Sequence, residues 1–193
     1  LAATRAAADE FVRALPGPGS FGIHRFTIAQ FAASFSAEEA APVTRLGAEA
    51  VAARAVQQAG ALRYFEPVAT CPGFASALAS TIEDLRLARV RPADLAGSDA
   101  ALDLAALVDA YERALVRSGL ADLAGILGAA TEGARRWPGL PLLLLDLPLA
   151  SRAYVEFVSA LALQSPAVCA ATLAADERRV AEFERILGVR AER

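Results

Sequence analysis

The sequence predicts an α/β fold: a mostly parallel sheet with helices on both faces and an all-helical inserted subdomain. Three observations predict it. The run Pro141-Leu142-Leu143-Leu144-Leu145-Asp146-Leu147-Pro148 sets four leucines between prolines, as a strand buried on both faces requires. Strand-like and helix-like segments alternate at both ends of the chain, an order that right-handed crossovers turn into parallel strands. Between residues 42 and 134 the periodicity is helical throughout. The expected organisation is an α/β domain over 1–41 and 135–193, with the helical insertion over 42–134.

Taken in order, Leu1 to Thr4 reads as the end of a strand. Arg5 to Leu15 is an amphipathic helix with Phe11, Val12 and Leu15 on its apolar side, stopped by Pro16-Gly17-Pro18-Gly19. Phe21 to Thr27 is rich in β formers and runs into a short helix through Phe31 and Phe35. Ser36 with Glu39 has the spacing of a capping box, marking another helix start. Leu46 and Val51 mark a weakly amphipathic helix, and Phe74, Leu78, Ile82 and Leu85 a clear one. Leu104, Leu107, Val108, Tyr111 and Leu115 share one face of a third, which Gly119 ends; Leu120 to Ala130 is helical again. After Trp137-Pro138-Gly139 come the leucine strand and a helix from Ser151 to Leu163, with Tyr154, Val155, Val158 and Leu161 inward. An apolar strand from Ala167 to Leu173 and a helix from Asp176 to Leu187, capped by Gly188, complete the chain.

Composition narrows the function classes. The chain has 193 residues, long enough for a proper core. Alanine makes up about a quarter of it and inflates the apolar fraction of 55%, and no apolar stretch approaches the roughly 20 residues of a membrane span. No basic segment leads into an apolar one at the start, so no signal peptide is expected. The first residue is Leu and Met is absent, from which a piece of a longer protein is expected. All 19 basic residues are Arg, and the net charge of −3 argues against binding DNA by bulk electrostatics while leaving room for a local basic strip. Cys71 and Cys169 belong to no C-x-x-C pair. Structural zinc is therefore not expected, and two isolated thiols fit a reducing, cytoplasmic location.

Asp146 ends the leucine strand at the edge where parallel sheets bind ligands. An acid there is what nucleotide-hydrolysing folds use to hold Mg²⁺, although the bland reading is a capping strand terminus. Thr4 and Thr27 stand where helix caps belong, with Arg5 and Arg25 beside them. His24, in an apolar segment, reads as a hydrogen-bonded core residue. Glu83 and Asp84 read as a solvated face, because adjacent residues do not share one. Arg135-Arg136-Trp137 offers a basic and aromatic cluster for stacking a base, or a loop Trp covering the core edge.

Several motifs then match one family in order. Thr4-Arg5-Ala6-Ala7-Ala8-Asp9-Glu10-Phe11 is similar to the T-x-x-A-A-x-E-M segment of UvrD-like superfamily 1 helicases, with Thr4, Ala7, Ala8 and Glu10 matching and Phe11 replacing Met. Ile23-His24-Arg25-Phe26-Thr27 resembles the family's T-F-H-S-F strand end, and the segment from Gly119 to Leu127 its D-F-D-D-L-L, with Asp122 and Leu127 retained. The helical insertion sits where the family has one. The family's D-E-F-Q-D-T corresponds to Asp146-Leu147-Pro148-Leu149-Ala150-Ser151, and its G-D-x-x-Q to Leu173-Ala174-Ala175-Asp176-Glu177. The metal-side acid is kept, while the water-activating Glu and both Gln are lost. The phosphate loop would precede Leu1.

A degenerate domain of this kind most resembles the N-terminal region of AddB-type subunits of bacterial helicase-nucleases, which carry a restriction-endonuclease-like nuclease domain far downstream. The resemblance implies an incomplete RecA-like core of the P-loop NTPase type that no longer hydrolyses nucleotide. It implies DNA binding and scaffolding in double-strand-break processing and recombinational repair. Thr4, Arg5, Arg25 and Thr27 become the expected contacts to single-stranded or end-containing DNA, and Asp146 a relic of the nucleotide and Mg²⁺ site. No cofactor is expected in this segment, ATP and Mg²⁺ belonging to the parent helicase or exonuclease subunit. The partner is a further helicase-nuclease subunit, and no membrane is involved. Two alternatives stand beside this reading: a protein-docking module without DNA contact, and an active ATP-dependent helicase domain whose missing motifs are supplied elsewhere.

Overall fold

The computed structural model describes residues 1–15, 22–36 and 40–192. In chain order they form α1 (Arg5–Ala14), α2 (Ile28–Ser36), β1 (Ala41–Pro42), α3 (Arg45–Gln58), α4 (Phe74–Leu87), α5 (Asp99–Arg117), β2 (Leu120–Ala121), α6 (Leu123–Ala134), β3 (Leu142–Leu145), α7 (Arg152–Gln164), β4 (Val168–Ala171) and α8 (Glu177–Leu187). A 3₁₀ turn, Pro92–Asp94, precedes α5. The class is α/β and mostly helical. In place of one broad sheet, the described residues form two small parallel ones, β1 with β2 and β3 with β4. Two compact units result: Leu1–Ser36 with Leu127–Arg193, and Ala37–Ile126.

In the first unit the leucine run forms β3 as expected, paired in parallel register with β4 from Leu142 opposite Val168 to Leu145 opposite Ala171. Ala2, fully buried, makes parallel bridges to Leu145 on one side and Thr27 on the other. Its N–H donates to the Phe26 carbonyl at 3.0 Å, and the Ala3 N–H donates to Leu145 at 3.2 Å. The lateral order is therefore Thr27, Ala2, β3, β4, with all four segments running the same way. Only Leu144 of the four leucines is fully buried. Leu142, Leu143 and Leu145 line an apolar cavity of about 740 Å³ shared with Phe11, Val12 and Leu15 of the α1 end, so burial on both faces is incomplete. The expected strand from Phe21 to Thr27 reduces to the single bridge at Thr27 among the described residues, where Ala2 alone supplies pairing.

Aromatic rings close this core. Phe31 and Phe35 on one face of α2 meet the fully buried Phe157 of α7 at centroid distances of 6.4 and 5.9 Å, and Trp137 meets Phe31 edge-on at 5.7 Å. Trp137 thus covers the core edge. Gly139 turns the chain into β3 at φ +74, and a Cβ there would stand 2.0 Å from the Gln164 carbonyl oxygen, so only glycine fits. α7 buries Phe157, Val158 and Leu161, while Leu163 is exposed. α8 begins at its expected cap, the Asp176 carboxylate accepting from the Arg179 N–H at 3.0 Å, and ends at Gly188 with φ +67. His24, expected in the core, is exposed and stacks on Phe26, because no second strand covers its segment among the described residues. The Pro16 to Gly19 stop and the Ser36 to Glu39 capping box lie on or reach into residues outside the described ones.

The second unit is a three-helix core. Val51, Ala52 and Ala55 of α3, Leu78 and Ile82 of α4, and Leu107, Val108, Tyr111 and Leu115 of α5 are buried together. The small side chains of α3 explain why its sequence pattern is faint: alanines fill its packing stripe, and Leu46 points away, 76% exposed. The insertion is not wholly helical. Ala41–Pro42 and Leu120–Ala121 pair in parallel, the N–H groups of Ala41 and Val43 donating to the carbonyls of Gly119 and Ala121 at 2.9 and 2.8 Å. Pro42 falls between the two donors, where its missing N–H costs nothing. Two residues are too few to show a strand period in the sequence.

Two carboxylates organise this unit. Asp103, buried on α5, accepts from the N–H groups of Arg63, Tyr64 and Phe65 at 2.8 to 3.1 Å and so fixes the segment after α3. Burial acts to raise its pKa, yet the three backbone donors and the Arg63 charge outweigh that, and it lies below the ordinary value. Asp122 is gripped by the Arg86 fork, Nε to Oδ2 at 2.6 Å and Nη2 to Oδ1 at 3.1 Å, and caps α6 through the Gly125 N–H at 2.9 Å. Glu112 pairs with the same guanidinium. Burial first, then the Asp122 charge, push the Tyr111 hydroxyl up to about 12.

Asp103→Asn is expected to cost about 2 kcal/mol, the scale of hydrogen bonds to a charged acceptor, read by urea denaturation at pH 7. Because the folded-state pKa is depressed, this contribution is complete above the unfolded value of about 3.9 and disappears as pH falls through the folded one. The variant's stability curve is expected to be flatter on that acid limb. Arg86→Met strands the Asp122 carboxylate and is expected to cost about 3 to 5 kcal/mol, checked by the same denaturation.

Candidate functional site

Parallel strands bring their following residues to one edge, and there the first unit gathers its polar side chains. β3 ends by a sharp change of backbone: Asp146 adopts φ +46, in the left-handed region, while its N–H still donates to the Ala171 carbonyl at 2.7 Å. Asp is among the few residues that tolerate this conformation. The turn has two consequences. The Asp146 side chain stays half exposed at the edge, and Leu147 swings inward to become fully buried.

The Asp146 carboxylate is already occupied by protein. It accepts from the Thr172 hydroxyl, just past β4, at 3.0 Å, and it is ion-paired with the Arg179 guanidinium of α8. Arg179 also pairs with Asp176 Oδ2 at 3.1 Å. A guanidinium therefore stands against the acid where the resemblance implies a divalent cation. Among the described residues no three His, Cys, Asp or Glu side chains are grouped to hold a metal.

Thr4 and Thr27 follow neighbouring parallel segments and both cap helices. Thr4 Oγ1 accepts from the Ala7 N–H at 3.1 Å. Thr27 Oγ1 accepts from the Gln30 N–H at 3.3 Å while Gln30 Oε1 accepts from the Thr27 N–H at 3.1 Å, a reciprocal capping box. Arg5 and Arg25 are brought together. Arg5 Nη1 donates to the Arg25 carbonyl at 2.7 Å, and both guanidinia flank Asp9 Oδ1 at 3.4 and 3.2 Å. That oxygen is buried without an aligned hydrogen bond, so the two arginines meet it through charge, and the trio keeps one net positive charge. The arginine side chains are 51% and 39% exposed.

Sequence reasoning missed Arg179 and Thr172. The Arg178-Arg179 pair one turn inside a capped helix was a visible signal, but nothing in one dimension tied it to Asp146, 33 residues earlier. It also took Asp122 only as a retained motif residue; the structure makes it a buried cap and ion-pair partner. Cys71 and Cys169 are both free and exposed. No helix among the described residues is long and apolar enough to cross a membrane. Compared with protein-family models, curated proteins and solved structures, the chain matches none.

Leu147 is the residue that the resemblance sets against the family's water-activating Glu, and its side chain is fully buried, so this position requires an apolar group. Leu147→Glu is expected to destabilise the protein by more than about 3 kcal/mol, as an unpaired buried charge does. Leu147→Met is expected to cost less than about 1.5 kcal/mol. Urea titration of the two variants measures the difference.

Proposed function

We propose that this chain is a helicase-like domain without hydrolytic activity, built on an incomplete RecA-like core, that contributes DNA binding and scaffolding to a bacterial helicase-nuclease acting in break processing. The observation that carries the reading is the state of the β3 tip. Its acid is neutralised by Arg179, and the next side chain is in the core, so neither a metal-holding carboxylate nor a water-orienting glutamate is presented. ATP and Mg²⁺ chemistry then belongs to other parts of the parent protein or to its partner subunit.

The DNA contact is assigned to Arg5 and Arg25, with Thr4 and Thr27 fixing the backbone around them. Paired guanidinia on adjacent segments of one edge, half exposed and sharing a single carboxylate, suit two phosphates of a single strand. The docking-module alternative draws on the net charge of −3 and on Leu46 and Val116, which are exposed on the helical unit.

Fluorescence anisotropy with a single-stranded oligonucleotide at low salt separates these readings. The wild type is expected to bind, and the Arg5→Gln, Arg25→Gln double variant to bind more weakly, with a salt slope shallower by about 1.4 for two lost phosphate contacts. Absent binding, or binding equal in both proteins, favours docking. A parallel ATPase assay is expected to show no turnover; turnover that Asp146→Asn abolishes would overturn the inactive assignment.

A further inference from the structure

A second feature of the first unit is lined by neither Arg5 nor Arg25 and does not depend on the DNA reading. A cavity of about 450 Å³ opens between residues 148–151, the first turn of α7, and α8. Its charged lining is Arg152, Arg178, Arg179 and Arg185 against Asp176 and Glu182, an excess of two positive charges in a chain whose net charge is −3.

The arginines differ in how firmly they are held. Arg179 is committed to Asp146 and Asp176. Among the described residues Arg152 and Arg185 pair with carboxylates one turn away on their own helices, Glu156 and Glu182, with the arginine side chains 71% and 62% exposed. Such surface pairs are weak and readily exchanged. Arg178 has no ion pair or side-chain hydrogen bond among the described residues. The fourth element is the start of α7. Ser151 has the extended N-cap backbone, φ −140 and ψ 161, yet makes no side-chain cap bond, and its hydroxyl oxygen is buried without a partner. The positive end of α7 and an unused hydroxyl therefore line the same cavity as the unpaired Arg178 and the exposed Arg152 and Arg185.

We propose that this cavity binds a terminal phosphate, a phosphomonoester dianion. Arg178 and Arg152 supply charge-assisted hydrogen bonds, the first backbone N–H groups of α7 and the Ser151 hydroxyl supply the remaining donors, and Arg185 turns from Glu182 to close the site. Donors arriving from a helix end and from a second helix suit a tetrahedral group with several acceptor oxygens better than a planar carboxylate. The space exceeds that of the phosphate, and Pro148, Leu149 and Val155 give an apolar wall for the esterified remainder.

Inorganic phosphate added to the full chain at low salt, followed by ³¹P line broadening, is the direct probe. The wild type is expected to broaden the signal, and Arg152→Gln, Arg178→Gln to weaken binding about tenfold or more, the scale of one lost hydrogen bond to a charged group. Ser151→Ala is expected to weaken it less, and Arg5→Gln, Arg25→Gln to leave it unchanged, which separates this site from the DNA assignment. All substituted arginines lie at the surface, and circular dichroism verifies the fold. AMP, and oligonucleotides with a 5′-phosphate or a 5′-hydroxyl, identify the source: a small ester if AMP competes with phosphate, a DNA end if only the phosphorylated oligonucleotide does. No broadening by the wild type, or equal binding by the Arg152, Arg178 variant, overturns the proposal.

Discussion

Parallel pairing around Ala2 and β3 is the constraint on which the first unit depends. Ala2 has a hydrogen-bonded neighbour on each side, Thr27 and Leu145, and it is fully buried, so its methyl is what the space admits. Because Thr27, Ala2, β3 and β4 all run one way, the residues that follow them emerge on the same edge. Thr4 and Thr27 cap helices there, Asp146 turns there, and Thr172 reaches across to it. One antiparallel reversal would scatter these side chains to opposite ends. The polar edge is thus a consequence of backbone direction before any side chain is chosen.

Charge is handled in contrasting ways in the two units. In the helical unit, buried carboxylates are satisfied completely: Asp103 by three backbone N–H groups and Asp122 by a guanidinium fork and a helix start. These groups order the segments between helices, where apolar packing offers little, and desolvation makes each bond consequential. At the edge of the α/β unit the pairs are half exposed and shared, two arginines on one Asp9 and one arginine across two carboxylates. Such pairs contribute little stability, but they keep arginines gathered at one edge.

Much of the fold was legible because period and punctuation agreed. The leucine run, the Phe74 to Leu85 stripe, the Asp176 start and the Gly188 stop all appear in place. What failed to show did so for identifiable reasons. The α3 interface is written in alanine, which carries almost no contrast. The Ala41–Pro42 pairing is shorter than one strand period. His24 was placed inside from its apolar neighbours, yet a strand is buried only if something covers it, and sequence pattern does not report the covering. At the polar edge, the helix caps at Thr4 and Thr27 and the strand end at Asp146 were legible as local signals, but Arg179 was not, because ion pairing across 33 residues leaves no periodic trace.

Asp146, Leu147 and Arg179 form one correlated arrangement. With φ +46 at Asp146, the following side chain is directed into the core, where an apolar residue is required. With the edge acid then unaccompanied, a cation from the protein is the least costly neighbour, and Arg179 supplies it from one turn inside α8. The three positions therefore constrain one another. A glutamate at 147 meets the core, and removing Arg179 leaves the Asp146 and Asp176 carboxylates without their shared cation. At this edge each carboxylate is held by at least one guanidinium: Asp9 by Arg5 and Arg25, Asp146 and Asp176 by Arg179.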